Sequence, residues 1–223
     1  GLYIDRKEIM HGNIDQMGRE EVLREIKRIQ EEFPALAAVT ENNVIIANAT
    51  SPANFFHLLR RQMIWDFRKP LIVFTPKSLL RQPQAVSKVS ELTHGKFQEV
   101  IHDEAKVAKD VKRVLFCSGK LYYELHNKKE EDNRNDIVIV RLEQLYPYPE
   151  GQVAKIMETY KNSNFVWVQE EPKNMGAWTF LLRYDINHKM KLISRKASAS
   201  PSTGFKKIHF KEQAEIITKA FEI

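Results

Sequence analysis

The chain has 223 residues and a mass of 26.1 kDa, enough for one large domain or two modest ones of about 100–150 residues each. An apolar fraction of 43%, with 12 Phe, 7 Tyr and 3 Trp, excludes a disordered chain, and only 8 Gly and 9 Pro exclude collagen-like or linker-dominated material. Against 29 Asp and Glu stand 35 Lys and Arg, a net charge of +6 that suits acidic proteins or small anions; no nucleic-acid recognition motif accompanies it. No stretch approaches the roughly 20 uninterrupted apolar residues of a membrane span. The opening Gly1 to Gly12 has no signal-peptide core, and the single Cys117 permits no internal disulfide. The expectation is a cytoplasmic or mitochondrial-matrix protein that binds neither nucleic acid nor membrane.

In chain order, Val22, Ile26, Ile29 and Phe33 form one helical stripe, and Glu20 with Arg24, Lys27 with Glu31 and Arg28 with Glu32 fall at pairing distance. This predicts an amphipathic helix from Gly18 to Phe33, stopped by Pro34, in a charged arm over residues 1–39. Beyond Thr40, short β-rich runs alternate with helical periods. Strands are expected at Val44–Ala49, Leu71–Thr75, Phe97–Ile101, Val114–Cys117, Ile137–Arg141, Phe165–Gln169 and Leu192–Arg195. Helices are expected at Ala53–Trp65, Leu121–Asp132, Glu150–Tyr160, Ala177–His188 and Lys211–Phe221. Several strands are bare apolar runs, which together with the alternation give an α/β fold with mostly parallel sheet. The charged stretch from His102 to Lys112 divides residues 40–104, with too few strands for a self-sufficient sheet, from a complete doubly wound unit at 105–223.

Cys117-Ser118-Gly119-Lys120 falls where a strand gives way to a helix, the usual place for a binding crevice in an open α/β sheet. It is either an anion site or a tight turn with a solvated lysine, since the full phosphate-cradling motif is absent. Cys117 has no local histidine to activate it and reads as an inert strand cysteine. Arg60 and Arg61 would either clamp a carboxylate or phosphate or hold a subunit or domain contact. The histidines, His57 among them, lack metal-ligand spacing, so no metal is expected on this chain. Glu170 and Glu171 are adjacent in an extended segment and point to opposite sides, which makes them a poor acid/base pair. The Ser198–Gly204 loop, with Lys206 and Lys207 beyond it, reads equally as an anion pocket or a plain surface loop.

Five phrases carry more together than singly: Ser51-Pro-Ala-Asn-Phe-Phe-His-Leu-Leu-Arg-Arg-Gln62, Lys69-Pro-Leu-Ile-Val-Phe-Thr-Pro-Lys-Ser-Leu-Leu-Arg81, Cys117-Ser-Gly-Lys-Leu-Tyr-Tyr-Glu124, Arg141-Leu-Glu-Gln-Leu-Tyr-Pro147 and Trp167-Val-Gln-Glu-Glu-Pro172. In order and spacing, from about Thr40 to Ile223, they resemble the C-terminal part of the 2-oxoglutarate dehydrogenase decarboxylating component. The resemblance implies a transketolase-like fold, with the end of a pyrimidine-binding domain over 40–104 followed by a transketolase C-terminal-type domain over 105–223. It implies a parent enzyme of the tricarboxylic acid cycle that uses thiamine diphosphate and Mg2+ to decarboxylate 2-oxoglutarate oxidatively. The succinyl group passes to the lipoyl domain of a dihydrolipoyl succinyltransferase component, an acidic partner that the basic balance would favour. A homodimeric parent is implied as well.

The family's Gly-Asp-Gly magnesium motif and its His-Ser-Ser-Ala-Arg phrase are absent from this sequence. No catalytic residue therefore carries over, and the chain alone is expected to be an inactive fragment holding neither cofactor nor metal. The resemblance also implies a regulatory adenine-nucleotide or acyl-CoA site on the C-terminal domain, to which Lys120, Arg141 and Gln169 are the expected contributors. The alternative to the enzyme reading is a free-standing module that binds such a nucleotide, an acyl-CoA or an acidic protein. A 2-oxoadipate-type relative stays open, because substrate choice in this family lies in residues outside this sequence.

Overall fold

The structure, a computed structural model, describes residues 43–103, 110–184 and 190–222. The arm over residues 1–39 and its helix at Gly18–Phe33 lie outside the described residues. Among the described residues the elements run β1 (Ile45–Ala47), α1 (Pro52–Ile64), β2 (Leu71–Val73), a 3-10 turn (Lys77–Arg81), α2 (Val89–His94) and β3 (Val100–His102). They continue with β4 (Arg113–Cys117), α3 (Leu121–Glu131), β5 (Ile137–Leu142), β6 (Gln144–Tyr146) and α4 (Glu150–Thr159). Last come β7 (Asn164–Pro172), α5 (Trp178–Leu181), β8 (Met190–Arg195) and α6 (Lys206–Phe221).

The larger sheet has five strands in the order β3-β5-β4-β7-β8. β4 lies parallel to both β5 and β7, and β7 parallel to β8, while β3 closes one edge antiparallel to β5. Strands buried on both faces must be apolar at successive positions, and β4 shows this: Val114 and Phe116 enter one core while Leu115 and Cys117 enter the other. The first core gathers Val140, Val153, Ile156, Trp167 and Leu181 under α4 and α5. The second gathers Leu125, Ile139, Val168, Ile216 and Ala220 under α3 and α6. Helices on both faces of a mostly parallel sheet make this the α/β architecture that the alternation predicted, and they agree with the transketolase-like fold that the resemblance implied.

The smaller sheet has three strands in the order β2-β1-β6. β1 runs parallel to β2, and β6 joins it antiparallel with an irregularity between Ile46 and Ala47. Strands thus cross residue 104 in both directions: β3 precedes it and enters the larger sheet, whereas β6 follows it and enters the smaller. α1 starts where its sequence says it should. Ser51 caps it by accepting from the Asn54 amide at 3.4 Å, and Pro52 takes the first turn, where a missing N–H costs nothing.

Several boundaries differ from expectation, each for a local reason. The helix foreseen at Ala177–His188 is confined to Trp178–Leu181, with turns through Tyr184, and 185–189 lie outside the described residues. The last helix begins at Lys206, five residues before the foreseen Lys211; its first turn is mostly exposed and displays no apolar stripe, the buried positions starting only at Gln213 and continuing at Ile216, Ala220 and Phe221. The third strand is Val100–His102 and antiparallel. β6 and α2 went unforeseen: three residues and six residues are too short to display a period. No described helix is long and apolar enough to cross a membrane.

Candidate functional site

β4 is flanked by β5, which follows it in the chain, and by β7, which the chain reaches only later on the opposite side, so the crevice expected at this switch of direction is at Ser118–Lys120. Gly119 makes the turn with φ +66°, a conformation open to glycine, and a side chain there would run into the Asn48 amide. The crevice is closed by the chain's own groups. The Lys120 ammonium donates to the Glu170 carboxylate and has Glu124 at 3.8 Å. Glu171 is exposed and does not join this ion pair. Cys117 is fully buried, which pushes its thiol far up and away from the reactive thiolate.

Gln169 is enclosed, 3% exposed, and its hydrogen bonds go to β7 itself, the turn after it and the start of α5. Its Oε1 accepts from the Trp167 indole at 2.9 Å and from the Trp178 amide at 3.2 Å, while Nε2 donates to the carbonyls of Pro172 at 3.1 Å and Met175 at 2.8 Å. Gly176 crosses over this amide with φ +69°. The two candidate arginines also part company. Arg60 is exposed on α1. Arg61 is a clamp: it donates to Glu99 at 3.2 Å and to Gln144 at 2.5 Å, with its guanidinium 4.7 Å from the Trp65 ring centre and 4.3 Å from that of Phe97.

Arg141 stands elsewhere. It lies in β5 between Ile101 of β3 and Cys117 of β4, and it borders a cleft of about 380 Å3 whose walls include Asn54, His57, Ser87, Tyr122 and His126. Its Nη1 donates to the Thr50 hydroxyl at 2.9 Å, and its guanidinium lies 4.1 Å from the Tyr122 ring centre. His126, one turn along α3, stacks on Tyr122 with centroids 5.5 Å apart. Behind Arg141 is Glu143, fully buried, which accepts from the Thr50 amide at 2.8 Å, the Thr50 hydroxyl at 2.5 Å and the Asn54 side chain at 2.9 Å. Burial holds its carboxyl above the usual carboxylate range, with Thr50, Arg141 and Asn54 pulling the other way.

Lys120, Arg141 and Gln169 therefore face different surroundings, and only Arg141 borders the cleft. Sequence reasoning did not single out Tyr122, His126, Thr50 or Glu143. One signal was available: an arginine inside the apolar run Ile137-Val-Ile-Val-Arg-Leu142, with Tyr122 and His126 one helical turn apart. Among the described residues no three His, Cys, Asp or Glu side chains stand close enough to hold a metal ion. With no Gly-Asp-Gly in the sequence, the described residues do not make a pyrophosphate–magnesium site.

Residues 86–221 match the family model described as 2-oxoglutarate dehydrogenase C-terminal. Among curated proteins, the chain is 46% identical over 198 residues to the 2-oxoglutarate dehydrogenase E1 component of Cupriavidus necator, covering 86% of this chain and 21% of that protein. It is 41% identical over 205 residues to the same component of Brucella anthropi, and 40% identical to that of Brucella abortus, covering 83% of this chain and 20% of each relative. The chain thus spans about one fifth of the length of the curated relatives it matches.

Proposed function

We propose, for a chain that belongs to the 2-oxoglutarate dehydrogenase C-terminal family, that it is the C-terminal portion of a decarboxylating E1 component and works only as part of that enzyme. The observation that carries this reading is the match itself, at 40–46% identity over most of this chain and only about a fifth of each relative. The surface supports it. The outer side of α1 and the neighbouring β2 leave Phe56, Met63, Ile64, Phe67, Ile72 and Phe74 between 45% and 70% exposed, a cluster of the kind that monomeric surfaces rarely leave uncovered. The rest of an E1 chain is the natural cover.

In this reading the parent enzyme decarboxylates 2-oxoglutarate with thiamine diphosphate and Mg2+ held by its other segments, and passes the succinyl group to a lipoyl domain of the succinyltransferase. It does so as a homodimer in the bacterial cytoplasm or its mitochondrial counterpart. This segment contributes the C-terminal sheet and the surface around it, and by itself turns over no substrate. The test is to express the whole reading frame that contains the segment, alongside the 223-residue chain, and follow 2-oxoglutarate-dependent reduction of ferricyanide with thiamine diphosphate and Mg2+. Activity in the long protein and none in the short one is expected. A reading frame that encodes only this segment would refute the proposal, as would a long protein that processes 2-oxoadipate or pyruvate and leaves 2-oxoglutarate untouched.

A further inference from the structure

We propose that the groove beside α4 is a binding site for a small organic cation that carries an apolar body. Glu150, Val153, Ala154, Met157 and Glu158 share one face of α4 at the three-and-four spacing, and Lys161 stands in the turn beyond. The rest of the lining comes from Tyr148 just ahead of the helix, Ser163 and Phe165 at the start of β7, and Tyr184 after α5. The groove encloses about 690 Å3 and shares no residue with the Arg141 cleft; that volume is in the range of small-molecule sites. Its middle is apolar: Val153 and Phe165 belong to the core under α4, and Met157 packs against it. At the helical rise of about 1.5 Å per residue, Glu150 and Glu158 stand about 12 Å apart along the axis, one toward each end of this apolar stretch.

The two ends differ in charge. Lys161 pairs with Glu158 at 3.4 Å, so these two cancel. The Glu150 carboxylate has no hydrogen bond or ion pair among the described residues. The Ser163 hydroxyl donates to the Val111 carbonyl at 2.6 Å and is not available to a ligand. One carboxylate is therefore left uncompensated in the lining, on a chain whose net charge is +6. Beside it Tyr148 and Tyr184 stack with centroids 4.2 Å apart and rings 29° from parallel, and Phe180 braces Tyr184 edge-on at 5.3 Å. Burial, followed by Glu150 and Tyr184, pushes the Tyr148 hydroxyl above its ordinary range, which keeps it neutral and puts Glu150 within electrostatic reach of the ring pair. A carboxylate next to an aromatic surface favours a cation, through the ion pair and the negative ring face together. An anion would meet Glu150 with like charge, and a neutral molecule would gain burial alone. The inference stands on this geometry and holds whether or not the chain works within a dehydrogenase.

The test is titration of the 223-residue chain, followed by NMR amide shifts at fixed ionic strength, with three probes of similar shape: phenethylamine, phenethyl alcohol and phenylacetate. The amine, protonated at neutral pH, is expected to shift signals of α4 and Tyr148, to bind about 3-fold more tightly than the alcohol, and to leave phenylacetate weakest. Glu150→Gln should weaken the amine about 3-fold and leave the alcohol unchanged. Glu215→Gln, the same charge change at an exposed position of α6, should alter neither. Ala154→Trp, which fills the groove from an exposed position of α4, should abolish binding of both. Melting curves accompany each variant; if Ala154→Trp does not fold, Glu150→Gln carries the test. Equal affinity for amine and alcohol overturns the proposal, as does phenylacetate binding as tight as the amine. So do an unchanged amine affinity in Glu150→Gln, an equal loss in Glu215→Gln, shifts confined to residues outside the groove, or no amine binding at millimolar concentration.

Discussion

Replacing Gln169 by Ala separates a ligand contact from a structural one. Its amide makes four hydrogen bonds of 2.8–3.2 Å to Trp167, Pro172, Met175 and Trp178, tying β7 to the turn that follows it and to the start of α5. Truncation removes the acceptor for two N–H groups, one of them on Trp167, itself 1% exposed. A buried donor left unpaired costs about 1–3 kcal/mol, and each lost bond to a carbonyl about 0.5–1.5 kcal/mol. Allowing for relaxation of the exposed side of the turn, the expected loss is about 2–4 kcal/mol, a large part of the roughly 5–15 kcal/mol that holds a domain folded. Urea unfolding followed by tryptophan fluorescence is the assay, since Trp167 and Trp178 are the residues whose surroundings change. Gln169→Met, which keeps the volume but not the hydrogen bonds, should lose nearly as much. A variant that stays within about 0.5 kcal/mol of the parent, in the range of a surface substitution, would refute the structural role and return Gln169 to the ligand-contact reading.

Two further outcomes follow from the same kind of accounting. Arg61→Lys, which keeps the charge but cannot reach Glu99 and Gln144 together or lie flat between Trp65 and Phe97, should cost about 1–3 kcal/mol in urea unfolding; Arg60→Lys, on the exposed side of the helix, should cost nothing measurable. Glu143 has a folded-state value raised above its ordinary 4.5, so the folded protein holds the proton more tightly than the unfolded chain does. Its contribution is fully present below that ordinary value and is lost as pH rises through the raised one. The stability advantage of the parent over Glu143→Gln, read from melting curves between about pH 4 and 7, should therefore shrink toward neutrality, and an advantage that widens would show that the hydrogen bonds to the carboxylate outweigh its burial.

The larger sheet was legible because its strands are buried on both faces. Val114–Cys117, Ile137–Arg141 and Phe165–Gln169 are apolar at nearly every position, and nothing but a parallel strand or a buried helix reads that way. The short elements were not. β6 is three residues whose pairing with β1 lies about a hundred residues back in the chain, and α2 is held by Glu91 on its own Lys88 amide and by His57 from another helix. Those contacts are tertiary, and local propensity does not encode them. The same holds for the candidate site. Lys120, Arg141 and Gln169 were grouped because all three stand near strand ends, yet a strand end fixes only the height above the sheet. Which neighbour each side chain meets depended on Glu170, Thr50 and Trp178, residues that reach them from other segments.

What joins the two sheets is polar. Glu143 is the residue between β5 and β6, where the chain leaves the larger sheet for the smaller, and its backbone carbonyl accepts from Asn48 while its N–H donates to Glu99. Its side chain holds Thr50 and Asn54, at the start of α1, and Asn54 in turn exchanges hydrogen bonds with the backbone of Gln98 just ahead of β3. Arg61 ties the next turn of α1 to Glu99 and Gln144 in the same way. Apolar contacts would tolerate sliding between the sheets, whereas directional bonds with short reach fix one register, because each buried group loses its partner if the sheets shift. Arg141 lies one hydroxyl away from this joint, through Thr50. Loss of any one of these groups therefore bears on the larger sheet through β5 and on the smaller through the start of α1, and should lower the resistance of the whole unit to unfolding rather than that of one sheet alone.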